Sequence, residues 1–302
     1  MSHGLYAVKI GSTVLGGITQ QNVVTAAEVR GEASSGEIYS RIQSLVSQGF
    51  TPSFSTLAIA AALGACGALG ASLASANLIL YAQKHQDGGG RASGSVHRSF
   101  TFVKGILAPK QLQVDHRGDA TLSYDAVVVY DGVNEPLVIG DTVALPSLGS
   151  SQAERFTLGS VEIGGVTLTT KMSLSIDFGL DVISEGHDSN LYDTIASIRG
   201  QQTVLTLTGR NPEWIKSTNI PLYGKAGTHL NTAIYLRKRA DGGSFVADET
   251  AEHIAMTACG FCVPENIFQA SGKDYGSVGL RMPLKYDGTN APLVIDVAAA
   301  LP

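Results

Sequence analysis

Apolar and polar positions alternate most regularly between residues 172 and 182. Met172, Leu174, Ile176, Phe178, Leu180 and Val182 stand between Ser, Ser, Asp, Gly and Asp. A period of two over that length predicts one half-buried antiparallel strand. Thr19, Gln21, Val23, Thr25, Ala27 and Val29 repeat the rhythm earlier in the chain with smaller, more polar side chains. The period then changes. Ile38, Ile42, Leu45 and Val46 are spaced as one helical stripe with Gly49 behind it, and Leu191, Ile195 and Ile198 repeat the stripe ahead of Gly200. That spacing predicts a short amphipathic helix packed on each sheet. Further strands are expected at Ser53–Leu57, Leu78–Ala82, Ser99–Val103 and Thr121–Tyr130, and again at Val204–Thr208, Ala233–Arg237, Ile254–Ala258 and Ser277–Tyr286. The uncharged run from Leu57 to Leu80 is dominated by Ala, Gly and Ser, which gain little in hydrocarbon, so a buried small-residue helix plus a following strand is expected there.

The paired spacing has a plain origin. Residues 130–146, YDGVNEPLVIGDTVALP, match residues 286–302, YDGTNAPLVIDVAAALP, at 11 of 17 positions, where average composition gives about one match by chance. Earlier matches run at an offset of 153 (Val8/Val161, Gly11/Gly164, Glu32/Glu185, Tyr39/Tyr192), then 154 (Tyr81/Tyr235, Lys84/Lys238, Asp87-Gly88-Gly89/Asp241-Gly242-Gly243), then 155 (Gly105/Gly260, Pro109/Pro264). The chain therefore reads as a tandem duplication, with one copy over residues 1–148 and the other over 149–302, joined near Ser147–Glu154. Each copy is expected to be mainly β: a β-sandwich or barrel with one flanking helix. Long Gly-rich connections, His85–His97 and Arg239–His253, project from each copy.

Charge narrows the function. With 21 Lys+Arg against 26 Asp+Glu the net charge is −5, and phosphate neutralisation needs the opposite sign. The first 150 residues carry 9 basic and 10 acidic groups, and the remainder 12 and 16. No signal peptide is evident, and three cysteines give no disulfide framework.

Little in the chain points to chemistry. Asp131 and Asp287, each in Tyr-Asp-Gly, could form the proton-sharing dyad of a bilobal aspartic protease, but Asp-Gly-x-Asn with a following Pro is turn chemistry. Cys259-Gly-Phe-Cys262 has redox or half-zinc spacing without a second pair, and Lys104 and Leu107 occupy the same places in the first copy. The seven histidines (3, 85, 97, 116, 187, 229, 253) form no ligand spacing and read as scattered surface or loop residues that do not recur between copies. Gly-rich stretches at 64–70 and 87–90 complete neither a phosphate loop nor a dinucleotide fingerprint. No catalytic, cofactor-binding or metal residue is assigned, and no enzyme activity is expected.

The repeated plan of strands, one flanking helix and a long loop, with the uncharged Ala/Gly/Ser region, the acidic balance and the opening MSHGLYAVKIG, resembles the major tail tube proteins of long-tailed bacteriophages, those of Mu-like siphophages of Pseudomonas in particular. The resemblance spans both copies and implies a virion structural protein with two fused tube domains, assembled in the host cytoplasm. It implies trimeric rings of pseudo-sixfold symmetry stacked into a tail tube. Terminator, tape measure and distal tail proteins would be partners, and genomic DNA would be cargo in the lumen, without membrane insertion. The alternatives are a single-ring tail or baseplate component of the same fold, a duplicated β-barrel that binds a ligand, and last the protease.

Overall fold

The computed structural model describes residues 2–33, 35–73, 77–86, 89–149, 154–211, 213–216, 229–240, 243–272 and 275–302. Among these the protein is mainly β. The first half contains β1 (His3–Ile10), β2 (Thr13–Leu15), β3 (Ile18–Glu32), β4 (Ile42–Thr56), α1 (Ile59–Cys66), β5 (Ala71–Ser72), β6 (Leu78–Lys84), β7 (His97–Phe102), β8 (Gly105–Asp115), β9 (Thr121–Val128) and β10 (Val138–Val143). The second contains β11 (Arg155–Ile163), β12 (Val166–Thr167), β13 (Lys171–Asp177), β14 (Leu180–Glu185), β15 (Ile195–Gln201), β16 (Val204–Gly209), α2 (Glu213–Lys216), β17 (Leu230–Arg239), β18 (His253–Gly260), β19 (Val263–Gln269), β20 (Ser277–Pro283) and β21 (Leu293–Ala299).

Two five-stranded antiparallel sheets have the same strand order, β10-β7-β6-β1-β2 and β21-β18-β17-β11-β12. Their registers correspond too: Val8 faces Leu80 as Val161 faces Ile234, and Val138 faces Thr101 as Val294 faces Thr257. A third, nine-stranded sheet runs through both halves in the order β19-β20-β16-β13-β8-β9-β4-β3, with β5 added on β8. One face of it closes the core, where Phe54 stacks on Tyr124 with ring centroids 5.0 Å apart, and Leu107, Leu112, Leu174, Ile176 and Leu207 are fully buried. Burying each such aliphatic side chain contributes roughly 1.5–3 kcal/mol. The other face is polar, as period-two alternation requires.

All eight short strands expected from the sequence form. The small-residue helix expected after Leu57 is α1, with Ile59, Ala62, Leu63 and Cys66 inward, and β6 follows it. No helix forms around Ile38–Val46 or Leu191–Ile198: residues 38–41 and 191–194 lie in the connections, and strands begin at Ile42 and Ile195. Each belongs to a long hairpin, β3–β4 or β14–β15, that also carries a bulge. Glu28 pairs with Ser47 but Val29 with Leu45, leaving Val46 unpaired, and the second hairpin does the same at Arg199. Ile42 and Leu45, like Ile195 and Ile198, precede the bulge and stand on opposite faces of the hairpin, so apolar residues exposed on both faces imitate a helical stripe.

The single strand expected over Met172–Val182 is broken into β13 and β14. Gly179 sits at φ +58, and a Cβ there would collide with the Gln202 carbonyl oxygen. Its counterpart Ala26 continues β3 straight. The segment after Tyr286 lies back on its own half: β21 pairs with β18, and the Leu301 amide donates to the Asp248 carbonyl at 2.7 Å. No helix among the described residues is long and apolar enough to cross a membrane. Residues 150–153 of the expected linker, and the paired dipeptides 87–88 and 241–242, lie outside the described residues.

Candidate assembly interface

The two halves meet strand to strand. β13 pairs with β8 in antiparallel register, with Leu174 opposite Val114, Ile176 opposite Leu112 and Asp177 opposite Gln111. On the core face Leu112, Val114, Leu174 and Ile176 are all 0% exposed. On the polar face Gln111 Nε2 donates to Ser175 Oγ across the joint at 3.0 Å. The ladder is extended at both ends, where the Phe178 amide donates to the Lys110 carbonyl and the His116 amide to the Met172 carbonyl.

A hairpin clasps this joint. Beyond the Gly179 bend, the turn joining β14 to β15 lies on the first half, where the Gln48 amide donates to the Leu191 carbonyl at 2.9 Å and the Tyr130 amide to the Asp193 carbonyl at 2.7 Å. Lys104 Nζ donates to the carbonyls of Thr194 (2.9 Å) and Tyr130 (3.2 Å). The Tyr192 ring sits 6.2 Å from Phe50 and 6.4 Å from Tyr130. At the other flank Arg155 pairs with Asp119 at 3.4 Å, and α1 packs beside β21.

The ends of the nine-stranded sheet are the counterparts of the two strands just joined. β3 corresponds to β13, since Gln21 faces Phe54 as Leu174 faces Leu207. β19 corresponds to β8, since Gln111 faces Ser123 as Asn266 faces Gly279, after the same bulge at Pro109 and Pro264. Each is a terminal strand with one edge unpaired. Ile267, the counterpart of fully buried Leu112, is 46% exposed. Ile38 and Tyr39, the counterparts of half-buried Leu191 and Tyr192, are 89% and 79% exposed. From Ile18 to Ala27 the β3 edge carries no charge. Proteins guard long exposed edges with charge, proline or a cover; this run has neither charge nor proline, and among the described residues no strand pairs with its outer edge.

The residues weighed for chemistry are fixed in other ways. Asp131 Oδ1 accepts from the amides of Val133 (2.7 Å) and Asn134 (2.6 Å), and Oδ2 accepts from the Asn134 side chain at 2.9 Å. Asp287 makes the same three bonds at the same distances with Thr289 and Asn290. The Asn side-chain donor first, and then the amides, holds both carboxyls below the usual range. A shared proton would instead push one of the pair upward.

Cys66, Cys259 and Cys262 are free thiols. Burial pushes Cys262 up to about 11 and Cys66 to about 12. A reactive thiol needs the opposite shift. Among the described residues no group of three or more His, Cys, Asp or Glu is placed to hold a metal ion.

The histidines correct the sequence reading. His97 and His253 recur in register and are buried, at 2% and 0% exposed. Each accepts on Nδ1 from a backbone amide, Lys84 or Lys238, at 3.0 Å. Nε2 of His253 lies 3.0 Å from the Ala247 carbonyl, so the ring carries its proton there. They pin the bases of the two Gly-rich connections, whose isolated bridges also correspond, His85 with Arg91 and Arg239 with Phe245. The offset of 156 that relates them was the available signal. It holds along β7 and β18, where Leu80 faces Phe100 as Ile234 faces Met256.

A cleft over the second five-stranded sheet, lined by Gly164, His229, Asn231, Thr257 and Asp287, is the place a ligand-binding barrel would offer. Searched against protein-family models and curated proteins, the chain matches none.

Proposed function

We propose that the chain is a structural protein made of two copies of one domain, and that it assembles head to tail into closed rings that stack as a tail tube for DNA. The observation that carries this reading is the β8–β13 joint. It leaves two different free edges, β3 and β19, that match the two edges already joined. Contacts between unlike surfaces propagate, and they close into a ring if the rotation per step allows. Closure also removes every edge of the sheet. The resemblance to tail tube proteins sets three chains per ring, with the two halves alternating around a pseudo-sixfold axis.

The polar face of the large sheet suits a lumen. Gln111, Gln113, Thr121, Ser123, Ser173, Ser175, Thr206 and Thr208 share it, with Asp115, Asp125 and Asp177 against Arg281 and Lys110, the latter paired with Asp125 at 2.8 Å. Short hydroxyl and amide side chains with a slight acidic excess give phosphate no basic groove to bind, so DNA passes as cargo. The Gly-rich connections, pinned by His97 and His253, are the candidates for contacts between stacked rings.

Mass measurement and negative-stain microscopy across a concentration series test this reading. Hollow rings or tubes whose mass is a multiple of three chains support it. A two-chain particle at every concentration overturns it, because paired like edges cannot propagate.

A further inference from the structure

We infer that the open edge of β3 pairs with the open edge of β19 of a second copy of this chain in a defined antiparallel register, with Val24 opposite Asn266. The inference rests on the ring reading and adds the residue-level joint between subunits. Its template is internal. In the closed joint Asp177 faces Gln111 and Ile176 faces Leu112. The strand registers relate Asp177 to Val24 and Ile176 to Val23, because Val24 faces Thr51 as Asp177 faces Val204. They likewise relate Gln111 to Asn266.

Three observations favour a second copy as the occupant. The apolar residues that follow Asn266 on the open edge, Ile267 and Phe268, are 46% and 66% exposed, where Leu112, which follows Gln111 in the closed joint, is fully buried. Val23 is packed against the core from one side, as Ile176 would be were β8 removed. The polar-side residues offer the same bond as in the closed joint, because Asn266 and Asn22 stand where Gln111 and Ser175 meet.

The backbone donors agree. The Phe178 amide donates to the Lys110 carbonyl, which assigns the Thr25 amide to the Glu265 carbonyl of the second copy. Ala26 stands where Gly179 bends the second hairpin, so the pairing carries over and the bend does not. β19 has a further register shift between Asn266 and Gln269, so the pairing is assigned on the Asn266 side of that shift.

Directly opposed residues on antiparallel strands have Cα atoms about 4.5–5.5 Å apart, within disulfide reach. The test is full-length chain carrying Val24→Cys with Asn266→Cys, oxidised after assembly and read on a non-reducing gel. Because β3 and β19 lie at opposite ends of the sheet, any link between them joins two chains. The expected result is a covalent ladder that stops at three chains. The one-residue-shifted pair, Val23→Cys with Asn266→Cys, places the thiols on opposite faces and is expected to link at least tenfold less.

Rings by microscopy with no link in the matched pair, or equal linking in both pairs, overturn the register and leave the ring reading standing. Chains that neither link nor form rings overturn both.

Discussion

The joint between the halves and the two open edges are built from corresponding strands, yet they expose their residues very differently. Leu112 is sealed while Ile267 is 46% exposed, and Tyr192 lies between two aromatic rings while Tyr39 is 79% exposed. β3 and β19 keep the strand partners of β13 and β8 and the bulges at Ile18–Gln20 and Pro264, while β19 carries a further shift after Asn266 and Ala26 keeps β3 straight where Gly179 bends its counterpart. The other difference is the neighbour, present at the closed joint and absent at the open edges of the lone chain. An interface can thus be recognised inside one chain as the covered version of a surface that the same chain leaves bare.

The sharpest way to break the comparison is to truncate the same position on both sides. Leu112→Ala opens a cavity in the closed joint and is expected to cost about 2–5 kcal/mol in urea unfolding of the lone chain. Ile267→Ala is expected to change that stability by less than about 0.5 kcal/mol while raising the concentration needed for assembly.

Proline sharpens it next. Thr25→Pro removes an amide assigned to the open edge, where a proline is tolerated. The lone chain is expected to fold with normal circular dichroism, and its assembly midpoint in light scattering to rise at least tenfold. A comparable fall in unfolding midpoint would place that amide in the β3–β4 ladder instead.

Tyr192→Ala and Tyr39→Ala form a gentler pair. The first removes half-buried ring packing, with an expected loss of about 1–2 kcal/mol in thermal or urea unfolding. The second is expected to leave the lone chain unchanged, with its effect confined to assembly.

The smallest effect concerns pH. Burial, with Arg91, His3 and Lys84 adding, holds His97 below the usual histidine range. Its neutral form is favoured in the fold, so the unfolded chain binds the proton more readily. Stability contributed by the neutral ring is therefore present above the unfolded value of about 6.5 and is lost as pH falls below it. Urea midpoints compared at neutral and mildly acidic pH are expected to fall on the acid side, and to fall less in His97→Gln.

Much of the fold was legible in the sequence because it rests on local rules. Alternation located eight strands, and Asp-Gly-x-Asn announced turns whose carboxylates are held by their own loop. Small residues after Leu57 gave a buried helix. The hairpins were misread because they expose apolar residues on both faces, Ile42 with Leu45 and Ile195 with Ile198, a spacing of three that period counting reads as helical. The His97/His253 pair escaped because its offset of 156 departs from the 154 and 155 of the matches on either side of it. The interface was least legible, since β8 and β13 pair across more than fifty residues of chain, and no local pattern specifies which distant edge a strand will find.

The central claim is that the closed joint is the template for the joint between chains. A cryo-electron microscopy reconstruction of the assembled particle tests it most directly. The account predicts one continuous sheet around a closed lumen, with β3 of each chain hydrogen-bonded to β19 of the next and the Ser/Thr/Gln face inward. A particle in which either edge faces solvent, or in which β3 pairs with β3, would contradict it.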